Sequence, residues 1–146
     1  MVRTHNNPEV PFVSFMDTDW IQKITIKGRA PAGASRFTLF LQRGAESEPD
    51  EVAFVLDVRF NYGANTNKIV TNCKIEGVWQ TEEAGECPFP FNYEENFKIK
   101  IIVEDDYFRV KVNDEEFLEY GQKLSMKSIN CLRIENDVIL EKVKLE

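Results

Sequence analysis

The sequence has one histidine, three cysteines and no long apolar run, and each shortage excludes a class of protein. A histidine-based catalytic triad would need His5, which lies in a polar N-terminal segment where chains are commonly mobile. Cys73, Cys87 and Cys131 are far apart and form no CxxC pair, so we expect free thiols and no zinc site. No stretch approaches the roughly 20 apolar residues of a membrane-spanning helix, and the N-terminus lacks the apolar segment of a signal peptide.

The charge balance and the lack of phosphate-binding motifs limit the partners further. The chain has 25 acidic and 18 basic side chains and a net charge of −7, so its average field repels nucleic acid and anionic lipid. No basic run compensates, and neither GxxxxGK[ST] nor GxGxxG occurs. Nothing marks two of the acids as the opposed pair of a glycosidase. We therefore expect a cytosolic protein that binds no nucleic acid, metal or cofactor, does not insert in membranes and is not an enzyme.

Apolar and polar residues alternate along most of the chain, in short runs bounded by Gly, Pro, Asn and Asp. This pattern is typical of antiparallel sheets with one buried face, and no window shows a helical apolar stripe. The Asn113-Asp114 pair predicts a hairpin turn. We predict an all-β fold, an antiparallel two-sheet jelly-roll sandwich of eight to twelve strands in a single domain spanning residues 1–146. The alternation is clearest in residues 23–28, 36–43, 54–61, 97–103 and 108–112.

One group of polar side chains stands out from this pattern. Asp57 and Arg59 share a strand face, Asn72 lies on the next strand, and Trp79 and Glu82 follow a short turn. Directional hydrogen-bonding groups beside an aromatic ring are what a sugar needs, because a sugar presents hydroxyls on one side and C–H groups on another. The residues therefore predict a carbohydrate site.

Each member of this group also has an ordinary structural explanation. Asp57 and Arg59 together would form a surface ion pair on an outer face. Trp79 alone is more often a core residue. Asn72 alone would cap a turn, and Glu82 alone would be a solvated loop residue. It is the ordered combination that favours the sugar site.

In its motifs the chain resembles a galectin carbohydrate-recognition domain over nearly its whole length. The similar segments are KGRAPAGASRFTLFL, VRFN, IVTN, W-x-x-E and PFPF. Arg59, Asn72, Trp79 and Glu82 match the family's sugar-binding motif residue by residue. The resemblance implies a β-galactoside groove, for lactose or N-acetyllactosamine, on the concave sheet. There Trp79 would stack on galactose, Arg59 would bridge its axial hydroxyl and ring oxygen, and Asn72 and Glu82 would reach the exocyclic hydroxyl or a second sugar.

Four positions depart from the family motif. Val55 replaces the histidine that hydrogen-bonds the axial hydroxyl, Asp57 replaces an asparagine, Gln80 a glycine and Ala84 the final arginine. Valine neither donates nor accepts a hydrogen bond, so we expect weak or altered galactoside binding, with Asp57 and Arg59 left to hold the axial hydroxyl.

The alternative hypothesis is a galectin fold that has lost sugar binding and acts through protein contacts or self-association. We expect Phe40 to be an exposed aromatic, which would extend the sugar site or mark an interface. Family behaviour further implies a homodimer through terminal strands, no cofactor, and a cytosolic protein that leaves cells by a non-classical route.

Overall fold

The computed structural model describes residues 2–84 and 88–146, which form thirteen strands and one short 3-10 helix, Met126–Ser128. The count exceeds the predicted eight to twelve because two of the strands have only two residues, too few to show an alternation. The strands are β1 Arg3–Asn6, β2 Phe12–Phe15, β3 Lys23–Arg29, β4 Arg36–Gln42, β5 Val52–Tyr62, β6 Asn65–Ile75, β7 Val78–Trp79, β8 Glu83–Ala84, β9 Phe97–Val103, β10 Tyr107–Val112, β11 Glu115–Gly121, β12 Cys131–Asn136 and β13 Ile139–Leu145.

The strands form two antiparallel sheets, which confirms the predicted all-β jelly-roll sandwich. One sheet has six strands in the order β1-β13-β3-β9-β10-β11. The other has the order β2-β12-β4-β5-β6-β7, and β8 also pairs with β6. Sequential strands often lie in different sheets, so each layer combines distant parts of the chain. Among the described residues no helix is long and apolar enough to span a bilayer.

The inward faces of the two sheets form the core, and they consist of the apolar residues that the alternation predicts. Ile24 and Ile26 of β3 are fully buried, as is Phe37 of β4. Phe37 stacks on Phe97 of the opposite sheet at a ring-centroid distance of 5.1 Å, and Phe91 meets both rings edge-on. Such aromatic pairs add to the free energy of burial, and they join the two sheets at one end of the sandwich.

Two backbone features depend on particular residues. Asn113 and Asp114 have φ values of 53° and 67°, the left-handed pair that a two-residue hairpin turn requires, and the β10–β11 hairpin is confirmed. Gly28 packs so closely on β13 that a Cβ there would lie 2.5 Å from the carbonyl oxygen of Ile139. Only glycine fits this approach, because the neighbouring atom is backbone.

The N-terminal segment is ordered, which corrects the expectation of a mobile region around His5. His5 lies in β1, opposite Val143 of β13, and its ring contacts Phe12 edge-on at 5.1 Å. Local composition missed this because the partner strand is at the other end of the chain. Cys73 and Cys131 are free and buried, and burial raises the pKa of the Cys131 thiol. Cys87 lies outside the described residues.

Candidate functional site

The seven-stranded sheet carries a groove of about 410 Å³ on the face turned away from the core, and all five predicted site residues line it. The antiparallel register produces this arrangement. Val55 of β5 lies between Phe40 and Asn72, Asp57 between Thr38 and Val70, and Arg59 beside Arg36. The predicted members are Asp57, Arg59, Asn72, Trp79 and Glu82, and Arg36, Thr38, Phe40 and Val55 lie among them.

Asp57 is a buried acceptor at the centre of the groove floor. Its side chain is only 6% exposed. Oδ1 accepts a hydrogen bond from the Thr38 hydroxyl at 2.7 Å, and Oδ2 accepts from Arg59 Nε at 2.8 Å and from Arg36 Nη1 at 3.4 Å. The interpretation of Asp57 and Arg59 as an exposed pair is therefore wrong, because β4 flanks Asp57 and supplies two of its donors.

Arg59 is held from several sides and still has N–H groups to spare. Besides the bond to Asp57, its Nη1 donates to Asn65 Oδ1 at 2.5 Å, and its Nη2 lies 3.7 Å from Glu82 Oε1. The Cζ atom of Arg59 lies 5.3 Å from the ring centroid of Tyr62. A guanidinium has five N–H donors and these hydrogen bonds use two of them. Arg59 is thus oriented by the protein and remains able to donate to a ligand.

Trp79 provides an accessible aromatic surface at the other side of the groove. It lies in β7 opposite Lys74, whose Nζ is 5.4 Å from the indole ring. The residue is 47% exposed, which is unusual for a large aromatic side chain. The core interpretation of Trp79 is therefore wrong, and the indole is available for stacking.

Asn72 and Glu82 differ in how firmly they are held. Asn72 is buried, donates from Nδ2 to the Gln80 carbonyl at 3.0 Å and accepts from the Cys73 N–H at 2.8 Å, so it ties β6 to the segment after Trp79. One amide N–H of Asn72 remains unused. Glu82 is 59% exposed and its ion pair with Arg59 is long, so it is weakly held.

The floor between these polar groups is apolar. Val55, Val52 and Phe40 form a small buried cluster separate from the main core. Phe40 is 8% exposed, so the predicted exposed aromatic is wrong. It is covered by Arg133 of β12, whose guanidinium carbon lies 3.9 Å from the ring centroid.

Arg133 is itself held by protein groups through all three of its guanidinium nitrogen atoms. Its Nε donates to Gln42 Oε1 at 2.9 Å, its Nη2 donates to the Ser47 carbonyl at 3.1 Å, and it forms an ion pair with Glu135. Burial lowers its pKa, and Glu135 opposes this shift. Arg133 thus fastens the 43–51 loop to the sheet, and it lines a second cavity that adjoins the groove at Phe40 and Trp79.

Sequence reasoning missed four residues that shape the site. The guanidinium carbon of Arg36 lies 3.9 Å from the ring centroid of Tyr62, the second of these residues. Arg36 and Thr38, the third, both donate hydrogen bonds to Asp57. The fourth is Asn65, which accepts a hydrogen bond from Arg59. The alternation of β4 puts Arg36 and Thr38 on the face of Phe40, so pairing β4 with β5 was the signal that would have found them. Within residues 2–84 and 88–146, no group of three or more His, Cys, Asp or Glu side chains could hold a metal ion.

A family model described as galactoside-binding lectin matches residues 16–145 of this chain. The chain belongs to the galectin family. It is similar to galectin-3 of Oryctolagus cuniculus, with 39% identity over 118 residues that cover 80% of this chain and 46% of that protein. The chain thus spans less than half of the galectin-3 sequences it matches. It is also 30% identical to human galectin-7 over 122 residues, covering 84% of this chain and 85% of that protein.

Solved galectin structures share the fold. Caenorhabditis elegans galectin LEC-6 superposes with a TM-score of 0.85 at 17% identity, covering 98% of this chain and 95% of that one. A human galectin-16 variant gives a TM-score of 0.84 at 21% identity, covering 97% and 99%. The sandwich is therefore preserved in galectins whose sequences have diverged widely.

Proposed function

We propose that this galectin binds β-galactoside glycans of the lactose or N-acetyllactosamine type, and that it distinguishes galactose from glucose less well than the family motif implies. The observation that carries the proposal is an exposed Trp79 in the same groove as an oriented Arg59 with unused N–H donors. A groove of about 410 Å³ is within the usual range for small-molecule sites.

The roles follow from the contacts. Trp79 stacks on the C–H face of the galactose ring, and Arg59 donates to its hydroxyl and ring oxygens. Asn72 offers one amide N–H from a buried position. Glu82 is exposed, so it adds a weaker contact at the groove edge. Asp57 acts mainly by orienting Arg59, because its oxygens already accept from three protein donors.

Val55 weakens recognition of the axial hydroxyl, the group that distinguishes galactose from glucose. A hydroxyl placed over Val55 and Phe40 meets an apolar floor and gains no hydrogen bond from these two side chains. One missing hydrogen bond costs about 0.5–1.5 kcal/mol, which is roughly 2- to 13-fold in affinity. Lactose and cellobiose differ only in the orientation of this hydroxyl. Their affinities should therefore lie within about tenfold of each other.

Calorimetric titration with lactose tests the proposal. Wild type should bind with millimolar to high-micromolar affinity, and Trp79→Ala should reduce that affinity at least about tenfold because the stacking surface is lost. Val78→Ala is the matched control, since Val78 is the exposed neighbour of Trp79 in β7 but does not line the groove. Absence of lactose binding, or equal binding by the Trp79 variant and wild type, would contradict the proposal and favour the scaffold hypothesis.

We also propose a homodimer through the terminal strands. β2 is an edge strand, and its outward residues Val13 and Phe15 are 42% and 56% exposed. Unpaired edge strands with apolar side chains favour association. Sedimentation should detect a dimer that Val13→Ser/Phe15→Ser weakens, and a lone monomer at high concentration would contradict this.

A further inference from the structure

The outer face of the six-stranded sheet, opposite the groove, carries a dense group of lysines. Four adjacent strands, β13, β3, β9 and β10, contribute side chains that the register sets in two neighbouring rows. One row has three lysines on adjacent strands, and the next has three lysines and Thr25. We call this group the lysine strip: Lys142, Lys27 and Lys98 in the first row, and Lys144, Lys100 and Lys111 in the second.

The lysine strip is unexpected in a chain with a net charge of −7, because it gathers six of the 18 basic residues. Lys27 lies directly opposite Lys142 on one side and Lys98 on the other, and Lys100 lies opposite Lys111. Like charges directly across a sheet are destabilising. The sequence shows no basic run, because side chains alternate along each strand and the lysines come from four separate strands.

Neighbouring carboxylates neutralise only part of this charge. Asp114 pairs with Lys98 at 2.8 Å and Lys100 at 3.4 Å. Glu146 lies 3.5 Å from Lys144, and Glu116 lies 3.6 Å from Lys111. Three carboxylates therefore contact four of the six lysines, and two of them, Glu116 and Glu146, also contact cations outside the strip.

Two members of the strip form no ion pair with any residue that the structure describes, and the strip lowers the pKa of nearby carboxyl groups. Lys27 and Lys142 have no salt bridge within 4.0 Å among residues 2–84 and 88–146. The hydrogen bond from Lys98, with help from Lys100, lowers the pKa of Asp114. Burial would raise the pKa of Glu146, but Lys23 and Lys144 lower it below its usual value.

We propose that the lysine strip binds a linear anionic polysaccharide, sulfated or carboxylated, independently of the sugar groove. Adjacent strands are about 4.8 Å apart, so four strands give a strip about 14 Å long, and two residues along a strand make it about 7 Å wide. Those dimensions suit one polymer chain that lies across the strands. Lysine ammonium groups act as point charges that match sulfate or carboxylate groups without fixed geometry.

The surroundings of the strip favour a single polysaccharide chain over other polyanions. Asp114, Glu116 and Glu146 border it, and a flat membrane would press these acids against anionic headgroups together with the lysines. A polymer chain between them avoids that repulsion and has open access over Asn6 and Thr4 of β1. The strip itself has no aromatic side chain on which nucleic-acid bases could stack.

The test measures binding of size-defined heparin fragments to the full chain by calorimetry at 50 and 150 mM NaCl. Binding should be steeply salt-dependent, and Lys27→Glu/Lys142→Glu should weaken it at least about tenfold at 50 mM NaCl. Lys27→Gln/Lys142→Gln should have an intermediate effect, and it keeps the test valid if the charge reversal impairs folding. Arg43→Glu/Lys127→Glu is the control, because it changes the net charge by the same amount at exposed sites away from both faces.

Further arms separate this site from the groove and from other polyanions. Trp79→Ala should bind heparin as wild type does, and excess lactose should not displace it. Unchanged heparin binding by both Lys27/Lys142 variants, no binding at 50 mM NaCl, or displacement by lactose would overturn the proposal. It would also be overturned if oligo-dT or phosphatidylserine vesicles bound the same lysines more tightly than heparin does. Since these readouts do not require lactose binding, failure here is distinguishable from failure of the proposed lectin function.

Discussion

Replacing Asp57 by alanine should both destabilise the fold and impair the groove. The carboxylate accepts hydrogen bonds from Thr38, Arg59 and Arg36 while its side chain is 6% exposed. Alanine would leave two guanidinium groups side by side without their shared counter-ion. The change therefore removes attraction and adds repulsion at one point of the sheet.

The magnitude follows from how deeply the partners are buried. Removing one member of a buried ion pair costs about 3–5 kcal/mol. Arg36 and Arg59 keep 29% and 14% of their side chains exposed, so water compensates part of the loss. We expect Asp57→Ala to lower the free energy of unfolding by about 3 kcal/mol. Thr38→Val removes the hydrogen bond to Asp57 and the one that Thr38 Oγ1 accepts from Asn136 at 3.2 Å, and it should cost about 2 kcal/mol.

Urea unfolding monitored by tryptophan fluorescence measures these free energies. The m-value, which is the slope of the unfolding free energy against urea concentration, must be the same in all variants for the comparison to hold. Lactose titration at low temperature, where the variant is still folded, measures the effect on Arg59. A loss below about 1 kcal/mol for Asp57→Ala would refute the view that this carboxylate is the buried anchor of the site. Wild-type lactose affinity in that variant would refute its role in orienting Arg59.

Three other outcomes are expected. Val55→His should raise the ratio of lactose to cellobiose affinity about 2- to 10-fold in calorimetry by restoring one hydrogen bond, and an unchanged ratio would count against an axial hydroxyl over this position. Gly28→Ala should lower the free energy of unfolding in urea by about 1–3 kcal/mol, because its Cβ would press on the Ile139 carbonyl, and a change under about 0.5 kcal/mol would contradict that contact. Asp114 and Glu146 have lowered pKa values in the folded protein, so their stabilisation is complete above the unfolded values of 3.8 and 4.5 and is lost as the pH falls through the lower folded values. The urea midpoint should therefore drop between pH 6 and pH 3, less so in Asp114→Asn/Glu146→Gln, and equal pH profiles for the two proteins would show that these carboxylates contribute nothing.

Strand alternation predicted most of the fold, because it reports which face of each strand is buried. The inward positions Ile24, Ile26 and Phe37 are buried as expected, and the Asn113-Asp114 turn forms the expected hairpin. The alternation also indicated that Asp57 and Arg59 share a face. All five predicted site residues line one groove for this reason.

Burial on the outer faces could not be predicted in the same way. Phe40 is covered by Arg133, which is 93 positions further along the chain and adjacent only because β12 pairs with β4. Asp57 is buried because β4 brings two donors beside it. The lysine strip likewise depends on the order of strands in the six-stranded sheet. In each case the decisive neighbour is set by sheet topology, which local alternation does not contain.

The pairing of β1 with β13 gives the sandwich a mechanically weak corner. Arg3 lies opposite Leu145, so a force that pulls these two residues apart acts across the ladder at its end. The hydrogen bonds then open one after another, as in a zipper, and do not share the load. A single-molecule experiment that holds the chain by both ends should see β1 peel off at low force before the rest of the sandwich yields. Attachment at Arg43, in the loop after β4, and at Gln122, in the loop after β11, should require a higher force.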